Sequence, residues 1–324
     1  MSFLGRAILL FALFLGLPSF LQGKDADSCG KRTVTVNVRD RRGDFITALA
    51  PSSFRATTHG QPIAVVSANM EVGPRVVLLL DVSGSIIFSP AKWQTVKLVS
   101  QHFVASSPNS FRVALVLFGS DVIETLDFSH PGKEILQRVQ QLGDGEKLVP
   151  KGKRRTALLD SVLHALTLFG KPEPGDTVFV ITDGAENFSR VHPGEVERAL
   201  ISGGVRFFAF ALHDVYSATE FEDEGANMLA DLANRTGGRV LDIDGPPRLD
   251  AGSRVRTSLE KIFDQIARYY LLVLEPVKSV AKEVGWELEV VDSHGDRRKD
   301  LDLMYPRKLP ACDASDLMKQ VSAK

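Results

Sequence analysis

Arg75-Val76-Val77-Leu78-Leu79-Leu80-Asp81-Val82-Ser83-Gly84-Ser85-Ile86 is the stretch from which the architecture is read. Val76 to Leu80 form an unbroken apolar run, β-branched at its start and too short for a free-standing helix. Between turn residues, such a run reads as a strand buried on both faces. It ends in Asp81, then Ser83, Gly84 and Ser85, so a carboxylate and two hydroxyls stand where a central strand meets its loop. In open α/β sheets ligands bind outside the carboxyl ends of the strands. Hard oxygen donors in that place suit Mg2+ or Ca2+. Taken alone, D-x-S-x-S is equally the pattern of a capped loop, because Asp and Ser are ordinary N-cap and turn residues.

Two later stretches add to it. Thr156 opens the amphipathic segment TALLDSVLHALTLF, and Asp183 ends the apolar run Thr177 to Thr182 before Gly184. A second strand thus delivers a second carboxylate to the same sheet edge, and a helix N-terminus delivers another hydroxyl. With these in place the chain resembles the von Willebrand factor type A domain family over roughly residues 74–245. The metal-ion-dependent adhesion site of that family joins D-x-S-x-S to a distant Thr and a later Asp, here Asp81, Ser83, Ser85, Thr156 and Asp183. The resemblance implies that Ser83, Ser85 and Thr156 touch a Mg2+ ion (or Mn2+ or Ca2+). Asp81 and Asp183 would then orient bound waters or accept hydrogen bonds from the serines. It further implies an open coordination position for an Asp or Glu carboxylate of a partner protein. Many relatives carry a small residue just before the Thr, whereas Arg154 and Arg155 precede it here. The likeness is closest to bacterial secreted proteins with this α/β domain and short flanking strands.

The flanks of this region differ in period. Val34, Val36 and Val38 alternate with Thr33, Thr35 and Asn37, which predicts a half-buried strand. Short strands follow around Phe54 to Thr57 and Ile63 to Ala68, separated by a turn at His59 to Pro62. Arg42-Gly43-Asp44 reads as a plain turn. Strands and helices then alternate, with Phe111–Phe118 and Val122–Leu126 as a hairpin. A last helix places Val255, Leu259, Ile262, Ile266 and Tyr269 on one face. Beyond Tyr270 strands return at Leu271–Leu274, Glu283–Val291 and Leu301–Met304.

The fold expected is α/β: a doubly wound, mostly parallel sheet with one antiparallel edge strand, plus a small β-rich domain from the flanking segments. The divisions are a signal peptide over 1–23, a β segment over 31–71, the α/β domain over 74–269, a β segment over 270–309 and a tail over 310–324. The two β segments are expected to pair, because neither alone can bury its apolar face. Two separate hairpins packed on the α/β body fit the pattern equally.

Composition bounds the function. The chain has 324 residues, 44% hydrophobic and 24% charged, with a net charge of -1, so no basic excess points to nucleic acid. Arg6 precedes AILLFALFLGL, an apolar core too short for a membrane span. That reads as a secretory signal and an extracytoplasmic protein, periplasmic or secreted. The alternative is an uncleaved N-terminal anchor. Cys29 and Cys312 either bridge or remain two thiols, and their spacing offers no zinc site.

Enzymatic readings lack their parts. An aspartate-nucleophile phosphatase needs a carboxylate two residues after the first, where Ser83 stands. No G-x-S-x-G elbow and no phosphate loop with its Lys is present. A protein-binding module for adhesion or assembly, not an enzyme, is what the resemblance implies. A metal-dependent hydrolase and an accessory subunit of an ATP-driven machine are the alternatives. Lys147, Lys151, Lys153, Arg154 and Arg155 lead into Thr156. Lys153, Arg154 and Arg155 are candidate partner-binding residues that would attract an acidic ligand; the same run also reads as a solvated loop. Asp160, one turn into the helix, either braces the loop or answers the helix dipole.

Overall fold

Two six-stranded sheets organise the chain. The computed structural model describes residues 30–108, 110–212, 220–242, 251–276 and 282–311. The expected signal segment, Cys29, Cys312 and all but the first two residues of the 310–324 tail lie outside them. The chain enters through β1 (Arg32–Asp40), β2 (Phe54–Thr58) and β3 (Gln61–Val72). It continues as β4 (Arg75–Asp81), α1 (Gly84–Ile87), α2 (Pro90–Ser106), β5 (Arg112–Phe118) and β6 (Val122–Leu126). Then come α3 (Gly132–Gln140), α4 (Gly145–Leu148), α5 (Leu158–Leu168), β7 (Thr177–Thr182) and α6 (Pro193–Gly203). The α/β part closes with β8 (Arg206–Ala211), α7 (Glu220–Thr236), β9 (Val240–Asp242) and α8 (Ala251–Ala267). Finally β10 (Arg268–Pro276), β11 (Val284–Gly285), β12 (Glu287–Val290), β13 (Leu301–Met304) and β14 (Lys308–Leu309) return to the first sheet and its edge.

The α/β sheet has the order β6-β5-β4-β7-β8-β9, parallel throughout except where β6 runs antiparallel to β5. Numbered from β4, that is the doubly wound order, and the strand order reverses between β4 and β7. Val76 to Leu80 are fully buried because helices cover both faces of β4. Val76, Leu78 and Leu80 pack with Trp93, Val96 and Phe103 of α2 and with Ile262 of α8. Val77 and Leu79 pack on the other face with Leu158, Val162 and Leu166 of α5. This two-sided burial is why the run shows no polar alternation.

The second sheet, in the order β12-β2-β3-β10-β1-β13, is antiparallel and draws on both ends of the chain. β10 lies between β3 and β1, so the flanking segments form one sheet and not two hairpins. Together they bury Val34, Val36, Val38, Tyr270, Leu272, Leu274, Trp286 and Leu288 around one core. The β2–β3 turn has positive φ at His59 (46°) and Gly60 (73°). Two central residues of that kind match the right-handed twist of a tight hairpin.

Three expectations need correction. Tyr269 belongs to β10, paired with Glu71, and not to the last helix. The helix stops because buried Arg206 donates to the carbonyls of Gln265 and Ile266, which cap its end, and its guanidinium lies 4.3 Å from the Tyr269 ring centre. Burial lowers the Arg206 pKa to about 10. Secondly, β1 is not half-exposed: Thr35, Asn37 and Arg39 are buried along with the valines. Their face lies against the α8–β10 junction, where Asn37 Nδ2 donates to Gln265 O and Arg268 O, and Arg39 pairs with Asp264. Thirdly, the strand expected over Glu283–Val291 is two short ones, β11 and β12.

Candidate metal centre

Parallel pairing of β4 with β7 sets Leu80 beside Ile181, so both strands finish at the same level. Asp81 and Asp183 are delivered there, at the point where strand order reverses. Asp81 is fully buried. Its Oδ1 accepts the Ser83 amide at 2.8 Å, and its Oδ2 accepts the Thr182 hydroxyl at 2.6 Å. Burial, and then the charge of Asp183, push the Asp81 carboxyl up to about 7. Asp183 Oδ1 accepts the Ala185 amide at 3.3 Å, while Oδ2 accepts the ammonium of Lys92 at 3.0 Å.

Ser83 is buried at the start of α1, whereas Ser85 reaches the surface. Their hydroxyl oxygens stand 3.1 Å apart. Thr156 is buried just before α5 and is tied in through its backbone. Its amide donates to Asn187 Oδ1 at 3.1 Å, and its carbonyl accepts the Asn187 amide at 3.2 Å. The residue two places earlier joins the Ser loop: Gly84 N donates to Arg154 O at 2.7 Å. A Cβ on Gly119 would lie 2.4 Å from Lys153 O, so only glycine lets the β5–β6 turn meet this loop.

The donor set is all oxygen. Among the described residues no group of three or more His, Cys, Asp and Glu side chains is placed to hold a metal, so hydroxyls must complete any set here. Two ligands at adjacent corners of an octahedron with bonds of about 2.1 Å lie about 3.0 Å apart. The Ser83 and Ser85 oxygens meet that spacing at 3.1 Å. The same 3.1 Å contact is a hydrogen bond between the two hydroxyls, and its length fits a small hard cation.

The basic loop is more engaged than its sequence suggests. Lys153 Nζ pairs with Asp121 at 3.1 Å. The Arg154 guanidinium lies 4.8 Å from the ring centre of Phe88, and that of Arg155 lies 4.4 Å from Phe188. Both rings are exposed, at 52% and 44%. Arg155 also donates to the Asn187 carbonyl. Asp160 does brace a loop, the one after β7, by accepting the amides of Arg190 and Val191. Glu186 works from the other side, accepting the Leu159 amide at the start of α5. Lys92, Thr182, Glu186 and Asn187 were not singled out from sequence for these roles. Lys92 left one trace there, a lysine in the first turn of a helix, which the helix dipole disfavours.

The model of the von Willebrand factor type A domain matches residues 76–239, and the chain belongs to that family. Domains of this family typically mediate metal-dependent protein interactions and are generally not enzymes. None of the curated proteins matches the sequence. Among solved structures, an aerotolerance-related membrane protein from Bacteroides fragilis is 18% identical, with 60% of this chain and 98% of that one covered and a TM-score of 0.45. A von Willebrand factor type A protein from Catenulispora acidiphila is 11% identical over 90% of this chain and 76% of that one, with a TM-score of 0.45. Proximal thread matrix protein 1 from the mussel byssus, with a zinc-occupied MIDAS motif, is 19% identical over 61% of this chain and 49% of that one, again at 0.45.

Proposed function

We propose that this protein is an exported, metal-dependent protein-binding module serving adhesion or assembly. Its divalent cation, Mg2+ or Mn2+, would be held by Ser83, Ser85 and Thr156 with Asp81 and Asp183 behind them. The cation supplies a positive centre with an open position for an Asp or Glu carboxylate of a partner. Asp81 holds the Ser83 amide and so fixes the turn that presents both hydroxyls. Asn187 fixes the Thr156 backbone in the same way. Exposed Ser85 marks the side from which a ligand reaches the site. The observation that carries the reading is the 3.1 Å spacing of two serine hydroxyls over a buried carboxylate pair at the sheet's switch point. Export rests on the leader-like residues 1–23, and among the described residues no helix is long and apolar enough to cross a membrane.

Titration calorimetry tests the site. The wild type should bind one Mg2+ or Mn2+ ion, and Asp81→Ala should lose that binding while keeping its circular dichroism. Equal affinity in the two proteins would sink the assignment. A pull-down from the native extracellular fraction should recover a partner that EDTA releases.

A further inference from the structure

Lys92 sits in the wrong place by two ordinary rules. It lies in the first turn of α2, where Ser89 Oγ accepts its amide, so its charge faces the positive end of the helix dipole. It is also buried, at 9% exposure, in a class of residue that is almost never buried without a partner. The compensation is Asp183: the ammonium lies 3.0 Å from Oδ2, with side-chain exposures of 10% and 0%. Such breaches of local rules concentrate at functional sites.

We infer that Lys92 is a resident counter-cation of the metal centre, which competes with the divalent ion for Asp183 and sets how tightly the ion is held. The inference rests on the metal-site reading above. Asp81 and Asp183 are buried like charges at one sheet edge. Ionised together without a counter-charge, they would repel across a poorly solvated gap. With Lys92 in place Asp183 has a counter-charge within the fold itself, so the fold tolerates an empty site. A divalent ion arriving beside it would have to share Asp183 with the ammonium. Lys92 therefore weakens metal binding, and its charge adds to that of the ion in drawing an anionic ligand.

The test compares the full-length wild type with Lys92→Met, Lys92→Gln and the charge-retaining Lys92→Arg, using Mn2+ alone as the probe. Calorimetry should show Mn2+ bound at least tenfold more tightly by the Met and Gln variants and within about threefold of wild type by Arg. Thermal midpoints should cross: in EDTA the neutral variants melt below wild type, and in excess Mn2+ they melt at or above it. A lysine that only supports the fold would lower both midpoints. Mn2+ affinity unchanged or weakened in the folded Met and Gln variants overturns the counter-cation role and leaves the metal site standing. Absence of Mn2+ binding in the wild type and in every variant overturns both.

Discussion

At the scale of single residues, the candidate centre is a buried carboxylate pair with its charge managed locally. Asp81 shows the consequence for pH. Its native pKa, raised to about 7 by burial and then by Asp183, exceeds the ordinary aspartate value of 3.8. The native state thus holds a proton that the unfolded chain has released. By linkage, that contribution to stability is complete below the unfolded value and is lost as pH rises through the native one. In EDTA, denaturant titrations of the wild type should show stability falling between about pH 4 and pH 7 relative to Asp81→Asn, which has no such proton. Parallel curves for the two proteins would refute it. Asp81, Ser83, Ser85, Thr156 and Asp183 could be chosen from sequence through the resemblance to the family's adhesion site, whose motif they fill at strand ends and a helix start. Lys92, Thr182 and Asn187 could not be placed that way. Their partners lie 91, 101 and 31 residues away, and only the strand register brings them together.

Among the elements, the loop between α4 and α5 joins charge to geometry. As a basic run alone, it would predict that losing both arginines slows capture of an acidic partner and leaves the metal untouched. The structure separates the two residues. Arg154 stacks on Phe88 and its side chain donates to the carbonyls of Val149 in its own loop and Glu146 in α4. Arg155 donates to the carbonyl of Asn187, the residue that clamps Thr156. Arg155→Ser should therefore weaken Mn2+ binding several-fold, while Arg154→Ser stays within about twofold, read by calorimetry at fixed salt. Equal effects would mean that charge alone matters. The α8–β10 boundary teaches a related lesson about legibility. Tyr269 continues the helical spacing of Leu259, Ile262 and Ile266, yet it pairs with Glu71 in a strand. What ends the helix is Arg206, about sixty residues upstream, and no local signal announces a cap from that distance.

For the whole molecule, the α/β unit sits inside the β sheet's connectivity. Removing residues 31–71 would strip β10 of both its neighbours, β12 of β2 and β13 of β1. Limited proteolysis of that deletion should cut within residues 282–311 far faster than in the intact protein. Unchanged cleavage would show that the C-terminal strands hold themselves together. The alternation of elements made the α/β fold readable from the chain alone. Sheet partnership between segments some two hundred residues apart was expected only because neither could bury its apolar face alone, and the strand order was not readable, because period-2 patterning tells which face is buried and not by whom.

Val72 and Arg268 face each other across an antiparallel pair. Followed along the chain, everything between them is the loop of a single β-hairpin. Were that loop flexible, closing it would cost about 5 kcal/mol in chain entropy. A folded insert with adjacent ends removes most of this cost before β3 and β10 meet. On that account the α/β unit would form first and the sheet around its two exits afterwards. Melting the insert would return that cost of about 5 kcal/mol to the sheet.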